Sequence, residues 1–183
     1  MHTETQKYTY EDYSKLPEGA PYQLINGELI MSPSPSTYHQ KIAINITVIL
    51  NKYVEKNKLG ALLFSPVDVY FNEYETYQPD IIFISKERKQ IIKENRIEGA
   101  PDLVIEILSE NNAYYDLKHK KNIYEKYGVK EYRIVDPIEK SVEIFENKGK
   151  KFVPLESKKE KGEINSKMFK GLKIDTETIF KKV

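Results

Sequence analysis

Asp102-Leu103-Val104-Ile105-Glu106-Ile107-Leu108-Ser109 decides how the chain is read. A nearly continuous apolar run of this length suits a central strand covered on both faces, yet it carries an ionisable group in its middle. Alternation along a strand places Glu106 on one face with Val104 and Leu108. A buried, unpaired carboxylate costs several kcal/mol or shifts its pKa, so Glu106 needs a reason to be there. Pro79-Asp80-Ile81-Ile82-Phe83-Ile84-Ser85 repeats the pattern, with Asp80 at the head of a second apolar run. Two carboxylates on neighbouring central strands repel each other unless a cation lies between them. Oxygen-only ligands favour Mg²⁺ or Mn²⁺. Taken alone, each carboxylate has a plainer reading as a strand-end cap or the partner of an arginine.

Outward from these strands, Asn26-Gly27 separates Tyr22-Gln23-Leu24-Ile25 from Glu28-Leu29-Ile30-Met31, a strong hairpin signal because both central residues of that turn need positive φ. Thr9 caps a short helix that Pro17 and Gly19 close. A helix is predicted near residues 37–54, with Ile42, Ala43, Ile46, Ile49, Leu50 and Tyr53 forming one buried stripe. A third strand is predicted at Ala61–Tyr70, and the charged stretch from Lys86 to Arg96 as a surface helix or loop. A second helix, about 114–127, stops at Gly128 and is followed by strands Glu131–Val135 and Val142–Glu146. The Lys/Glu-rich segment 154–183 offers only a short apolar ending near Leu172–Phe180. The order predicts one α/β domain over 1–183: an N-terminal β-hairpin, a mixed central sheet flanked by helices over about 10–153, and a C-terminal extension over 154–183.

The second helix carries the next misplaced charge. At about 100° per residue and Leu117 at 0°, Ile123 falls at about 240°, Tyr127 at about 280° and Tyr124 at about 340°. Lys120, at about 300°, sits in the middle of that apolar sector, and Asp116 falls at about 260°. A snorkelling lysine or an Asp116–Lys120 pair at i,i+4 is the structural alternative. His39 precedes Ile42 and Ala43 by three and four residues and so faces inward at the start of the first helix, as a core histidine or as a contact to phosphate or metal-bound water. Glu28 follows the hairpin turn directly, as a surface residue or a further acidic ligand.

Composition narrows the classes. With no cysteine among 183 residues, thiol nucleophiles, disulfide scaffolds and cysteine-ligated zinc are excluded. No apolar run approaches a membrane span, and the polar Met1–Tyr10 does not read as a signal peptide, so a cytoplasmic protein without membrane contact is expected. The net charge of +1 hides an asymmetry: residues 1–115 carry 11 Lys+Arg against 16 Asp+Glu, and 116–183 carry 18 against 12. An acidic part beside a basic part suits a cation held next to a phosphate chain.

These residues, in this order, resemble the PD-(D/E)xK nuclease superfamily, and more closely its bacterial restriction-endonuclease branch. The resemblance runs from about Tyr10 to Val153. It is carried by Leu24 through Pro33, His39, Pro79-Asp80-Ile81, Pro101 through Ser109, Asp116-Leu117 with Lys120 and Tyr124, and Gly128-Val129-Lys130-Glu131-Tyr132-Arg133-Ile134-Val135-Asp136-Pro137. The superfamily's lysine, two residues after the glutamate, is Leu108 here. In the branch resembled it has moved to the following helix, where Lys120 stands. The literal triples Glu87-Arg88-Lys89 and Glu156-Ser157-Lys158 lie in polar stretches where composition alone produces them. The resemblance implies a restriction-endonuclease-like fold and metal-dependent hydrolysis of DNA leaving a 5′-phosphate. Asp80, Glu106 and the backbone carbonyl of Ile107 would hold Mg²⁺ or Mn²⁺, and Glu28 would add a ligand. Lys120 would serve the attacking water or the transition state, His39 the phosphate, with Asp116 and Tyr124 supporting the lysine. Cutting both strands symmetrically suggests a homodimer. The alternatives are a nuclease fold that binds DNA or a protein without cutting, and a hydrolase of another class using paired carboxylates, such as a glycosidase.

Overall fold

The turn at Asn26-Gly27 has φ of 51° and 79°, the positive values that the sequence demands there. A computed structural model of the chain describes residues 7–109 and 113–182, with the backbone alone for 113–117. In chain order the elements are α1 (Tyr10–Tyr13), β1 (Tyr22–Ile25), β2 (Glu28–Met31), α2 (Thr37–Asn57), β3 (Gly60–Phe64), β4 (Val69–Asn72), β5 (Glu75–Tyr77), β6 (Ile81–Ser85), a 3-10 turn (Lys86–Ile91), β7 (Ile97–Glu98), β8 (Leu103–Ile107), α3 (Ala113–Tyr127), β9 (Glu131–Asp136), β10 (Ser141–Asn147), β11 (Phe152–Lys159), β12 (Glu163–Asn165), β13 (Lys173–Asp175) and α4 (Thr176–Ile179).

The central sheet runs β11-β10-β9-β8-β6-β3, and only its β8–β9 pair is parallel. Parallel neighbours need a long crossover, and α3 supplies it. Period two then sorts the central residues. Ile81, Phe83, Leu103, Ile105 and Ile107 pack with the α2 stripe of Ile42, Ile46, Leu50 and Val54 on one face. Ile82, Ile84 and Val104 pack on the other with Ile123 and Tyr124 of α3 and with Val69, Phe71 and Tyr77. Those last three belong to a second, five-stranded sheet, β2-β1-β5-β4-β7. The fold is mixed α/β, as predicted, and the hairpin belongs to this second sheet. Among the described residues no helix is long and apolar enough to cross a membrane.

Two expectations are corrected. The strand predicted over Ala61–Tyr70 is two strands, β3 in the central sheet and β4 in the other. Pro66 lies between them and has no N–H to offer a ladder, so the chain leaves one sheet and enters the next there. The segment 154–183 is not an extension outside a core of 10–153. Ile164, Phe169, Ile174, Ile179 and Phe180 lie in the same apolar cluster as α2 and β8, and β11 forms an edge of the central sheet through Lys159.

Asp102 fixes the entry of β8. Its carboxylate accepts the Ser85 N–H (2.8 Å) and pairs with Arg88 (3.2 Å) and Lys130 (2.7 Å). Its carbonyl accepts the N–H groups of Lys130 and Glu131, both at 3.0 Å. Burial pushes the Asp102 pKa up, but the hydrogen bonds from Lys130 and Ser85 and the charge of Arg88 outweigh it, and the net shift is downward. A depressed carboxyl pKa contributes stability that is present above the unfolded value, about 3.9, and is lost as pH falls through the folded one. Asp102→Asn is therefore expected to cost about 1.5–3 kcal/mol at pH 7. In urea titrations that deficit should shrink below about pH 4; a deficit independent of pH contradicts the assignment.

Candidate active site

The amino end of β6 and the carboxyl end of the antiparallel β8 meet at one end of the central strands. Asp80 Oδ2 accepts the Ile107 N–H at 2.7 Å, which locks its carboxylate beside the residue after Glu106. His39, in the first turn of α2, reaches the same point from the other face. The Ser36 side chain caps that turn by accepting the His39 N–H at 3.1 Å. His39 Nε2 is 3.1 Å from the Ile107 carbonyl oxygen and 3.3 Å from Asp80 Oδ2. Both neighbours are acceptors, so Nε2 carries the hydrogen. Burial lowers the His39 pKa, but Asp80, the Ile107 carbonyl and Glu106 together raise it above the ordinary value.

Glu106 points to the α3 side, as alternation requires. One oxygen, Oε1, takes both the Lys120 ammonium (3.2 Å) and the Tyr124 hydroxyl (2.6 Å). Glu106 is 6% exposed and Lys120 9%, while Tyr124 is fully enclosed. Burial pushes the Glu106 carboxyl pKa up; Lys120 pulls against that, and the nearby Asp80 charge reinforces it. The Tyr124 phenol is pushed well above its usual range, first by burial and then by Glu106, so it acts only as a hydrogen-bond donor. Replacing Tyr124 with phenylalanine is expected to cost about 0.5–1.5 kcal/mol and to leave Lys120, among the described residues, as the sole donor to Glu106 Oε1. Thermal unfolding checks the first effect.

The structure brings Asp80, Glu106, Ile107, His39, Lys120 and Tyr124 together. Glu28 is exposed on β2, and among the described residues no hydrogen bond or ion pair joins it to this cluster. The side chain of Asp116 lies outside the described residues. Asp80 Oδ1 and Glu106 Oε2 accept no hydrogen bond among the described residues, and the Ile107 carbonyl has a second lone pair. That donor set is all oxygen and suits a hard divalent cation with part of its water shell retained. Among the described residues no group of three or more acidic, His or Cys side chains could hold a metal, so any cation would rest on two carboxylates, a carbonyl and water.

Sequence reasoning missed Glu75. It is buried on β5, accepts the Asn26 N–H at 3.0 Å and the Tyr77 hydroxyl, and lies 3.5 Å from Nε2 of His119, the residue before Lys120. Tyr77 in turn stands edge-on to Tyr124, with ring centroids 5.8 Å apart. The hairpin turn and α3 are thus joined through one carboxylate.

A family model described as "Putative restriction endonuclease", Uma2, matches residues 10–177. The chain belongs to the Uma2 family. The match runs past the predicted core, in keeping with the burial of the C-terminal segment. The fold is also that of a crystal structure from Anabaena variabilis ATCC 29413, described as a "putative nuclease belonging to DUF820". The two chains are 22% identical with a TM-score of 0.77, over 94% of this chain and 97% of the other. No curated protein matches. Uma2 membership and the shared fold place the chain among restriction-endonuclease-like proteins of the PD-(D/E)xK type.

Proposed function

We propose that the chain is a metal-dependent endonuclease that hydrolyses DNA phosphodiester bonds. The observation that carries this reading is the buried Glu106 oxygen shared by Lys120 and Tyr124, beside an Asp80 that the backbone of Ile107 holds. A buried carboxylate whose pKa burial raises, set beside a buried lysine at the strand ends, is costly to fold and useful for chemistry. Asp80, Glu106 and the Ile107 carbonyl would hold Mg²⁺ or Mn²⁺. When bound, the cation polarises the scissile phosphate and offsets its charge.

The remaining work falls to the chain's own groups. Lys120 carries three N–H donors; one engages Glu106 Oε1, and the others, without an acceptor among the described residues, would orient a water or stabilise charge developing on the phosphate. Tyr124 donates to the same oxygen and so fixes the direction from which Lys120 approaches. His39 holds Asp80 and the Ile107 carbonyl in register through one N–H, and its raised pKa favours the cation that a nearby phosphate would select. Cutting both strands would use two copies of the chain, as a homodimer.

Supercoiled plasmid incubated with Mg²⁺ or Mn²⁺ should be nicked, with 5′-phosphates at the breaks, and should stay intact in EDTA. Cleavage undiminished in EDTA argues against the metal, and DNA bound without cleavage under any divalent ion supports an inactive binding module instead.

A further inference from the structure

We infer that Lys41, Lys181 and Lys182 form a phosphate-contacting ridge beside the catalytic cluster, along which the DNA backbone lies; this rests on the nuclease reading. Half of the 18 Lys and Arg side chains of the C-terminal part are paired locally, Lys120 and Arg133 among them. Lys130 pairs with Asp102, Lys148 and Lys167 with Glu146, Lys158 with Glu156, Lys159 with Glu139, Lys161 with Glu177 and Lys173 with Glu163. Paired lysines have less to gain from a phosphate. Among the described residues Lys41, Lys181 and Lys182 have no ion-pair partner.

Their position is held by the segment once expected to be an extension. Ile179 and Phe180 are anchored in the core. The Asn45 amide donates to the carbonyls of Ile179 (3.0 Å) and Lys181 (3.2 Å), and the Tyr38 hydroxyl donates to that of Phe180 (3.1 Å). The Lys182 ammonium sits 5.1 Å from the centroid of the Tyr38 ring. Residues 179–182 are thereby strapped along the opening turns of α2. With Tyr38 at 0° around that helix, Lys41 lies at about 300° and Asn45 at about 340°, so Lys41 shares the stripe that holds the strap. Tyr38 is the immediate neighbour of His39, whose imidazole touches Asp80 and the Ile107 carbonyl. Three cations therefore stand along the first turns of α2, on a flank about 100–160° round the helix from His39, at the helix end that His39 ties to the cluster. Adjacent phosphates of a strand bound there would meet ammonium groups that fix register without reading bases.

Other exposed lysines serve as an internal control. The Lys170 carbonyl accepts the Tyr53 hydroxyl, fourteen residues along α2 from His39 and so about 21 Å away. Lys151 lies at the β10–β11 connection, beside Lys130 at the start of β9, the sheet end away from Glu106.

The test compares the full chain with a triple variant, Lys41→Ala, Lys181→Ala and Lys182→Ala, and with a control, Lys151→Ala and Lys170→Ala. Binding to a labelled DNA duplex is followed by fluorescence anisotropy in EDTA across a salt series. The slope of log K against log salt should become shallower by about 2 to 3 in the triple variant, since each lost phosphate contact removes about 0.9. Affinity at about 100 mM salt should fall by tenfold or more, while the thermal midpoint stays as in the parent. The control should keep the parental slope. If the parent cuts DNA and the triple variant keeps its slope, or the control loses as much, the ridge is wrong and the nuclease reading stands. A parent that neither binds nor cuts the duplex overturns the nuclease reading, and the ridge with it.

Discussion

Replacing Glu106 with glutamine is expected to lower Mg²⁺-supported cleavage of DNA by a factor on the order of 10³ or more, with little change in DNA affinity. Glutamine keeps an oxygen for Tyr124 and nearly the same volume, so the loss isolates the negative charge. That charge is the one the fold resists. Burial raises the Glu106 pKa, so the contribution of this group to stability is full below the unfolded value, about 4.3, and is lost as pH rises through the raised folded value. Above that folded value the ionised carboxylate weakens the fold, and the Lys120 charge only partly offsets the cost of burial. The variant should therefore lose activity out of proportion to any fall in its thermal midpoint. A variant that unfolds early and cuts normally in its folded fraction would make Glu106 a structural residue. A single-turnover assay on the purified monodisperse fraction separates the two outcomes.

The second large effect concerns stability. Glu131 and Arg133 are each 3% exposed on the α2 side of β9 and share a two-pronged contact, with Arg133 Nε 2.7 Å and Nη2 2.5 Å from Glu131 Oε1. The guanidinium also lies 6.0 Å from the Phe169 ring centroid, so the C-terminal segment seals the pair. Removing one partner leaves an uncompensated buried charge. Arg133→Met is expected to cost about 3–5 kcal/mol, whereas Glu131→Leu combined with Arg133→Met should recover most of that loss, because a buried ion pair and well-packed apolar residues are often equivalent. Urea unfolding of the parent, Glu131→Leu, Arg133→Met and the double variant gives the coupling directly. Additive losses in the double variant contradict the pairing.

What could be read from the sequence followed its periodicity. Two-residue alternation through Leu103–Ile107 placed Glu106 on the face of Val104, which in the structure is the α3 side, where Lys120 and Tyr124 meet it. The helical angle of Lys120 depended only on its spacing from Ile123, Tyr124 and Tyr127. Asn26-Gly27 announced its own turn. Contacts that join distant segments had no such period. Glu75 meets Asn26 and His119 only because the second sheet brings β5 between the hairpin and α3. Ile164, Phe169, Ile174 and Ile179 are buried one at a time as the chain drapes across α2 and the central sheet. Spaced by five residues, they match neither a strand nor a helix, and their surroundings of lysine and glutamate made the segment look solvated. Glu131 and Arg133 did carry a signal, since alternation puts them on one face with Val135, but only the burial of that face makes them a pair.

The account rests on Asp80, Glu106 and Lys120 acting as one unit on a phosphodiester. Groups that act together fail non-additively: removing any one costs nearly as much as removing all. Single-turnover cleavage of plasmid in Mg²⁺ by Asp80→Asn, Glu106→Gln, Lys120→Met and the triple variant measures this directly. Each single variant should fall on the order of 10²–10⁴-fold, with the triple variant hardly lower than the worst of them. Cleavage that persists at the parental rate in the triple variant would place the reaction elsewhere in the molecule and contradict the account.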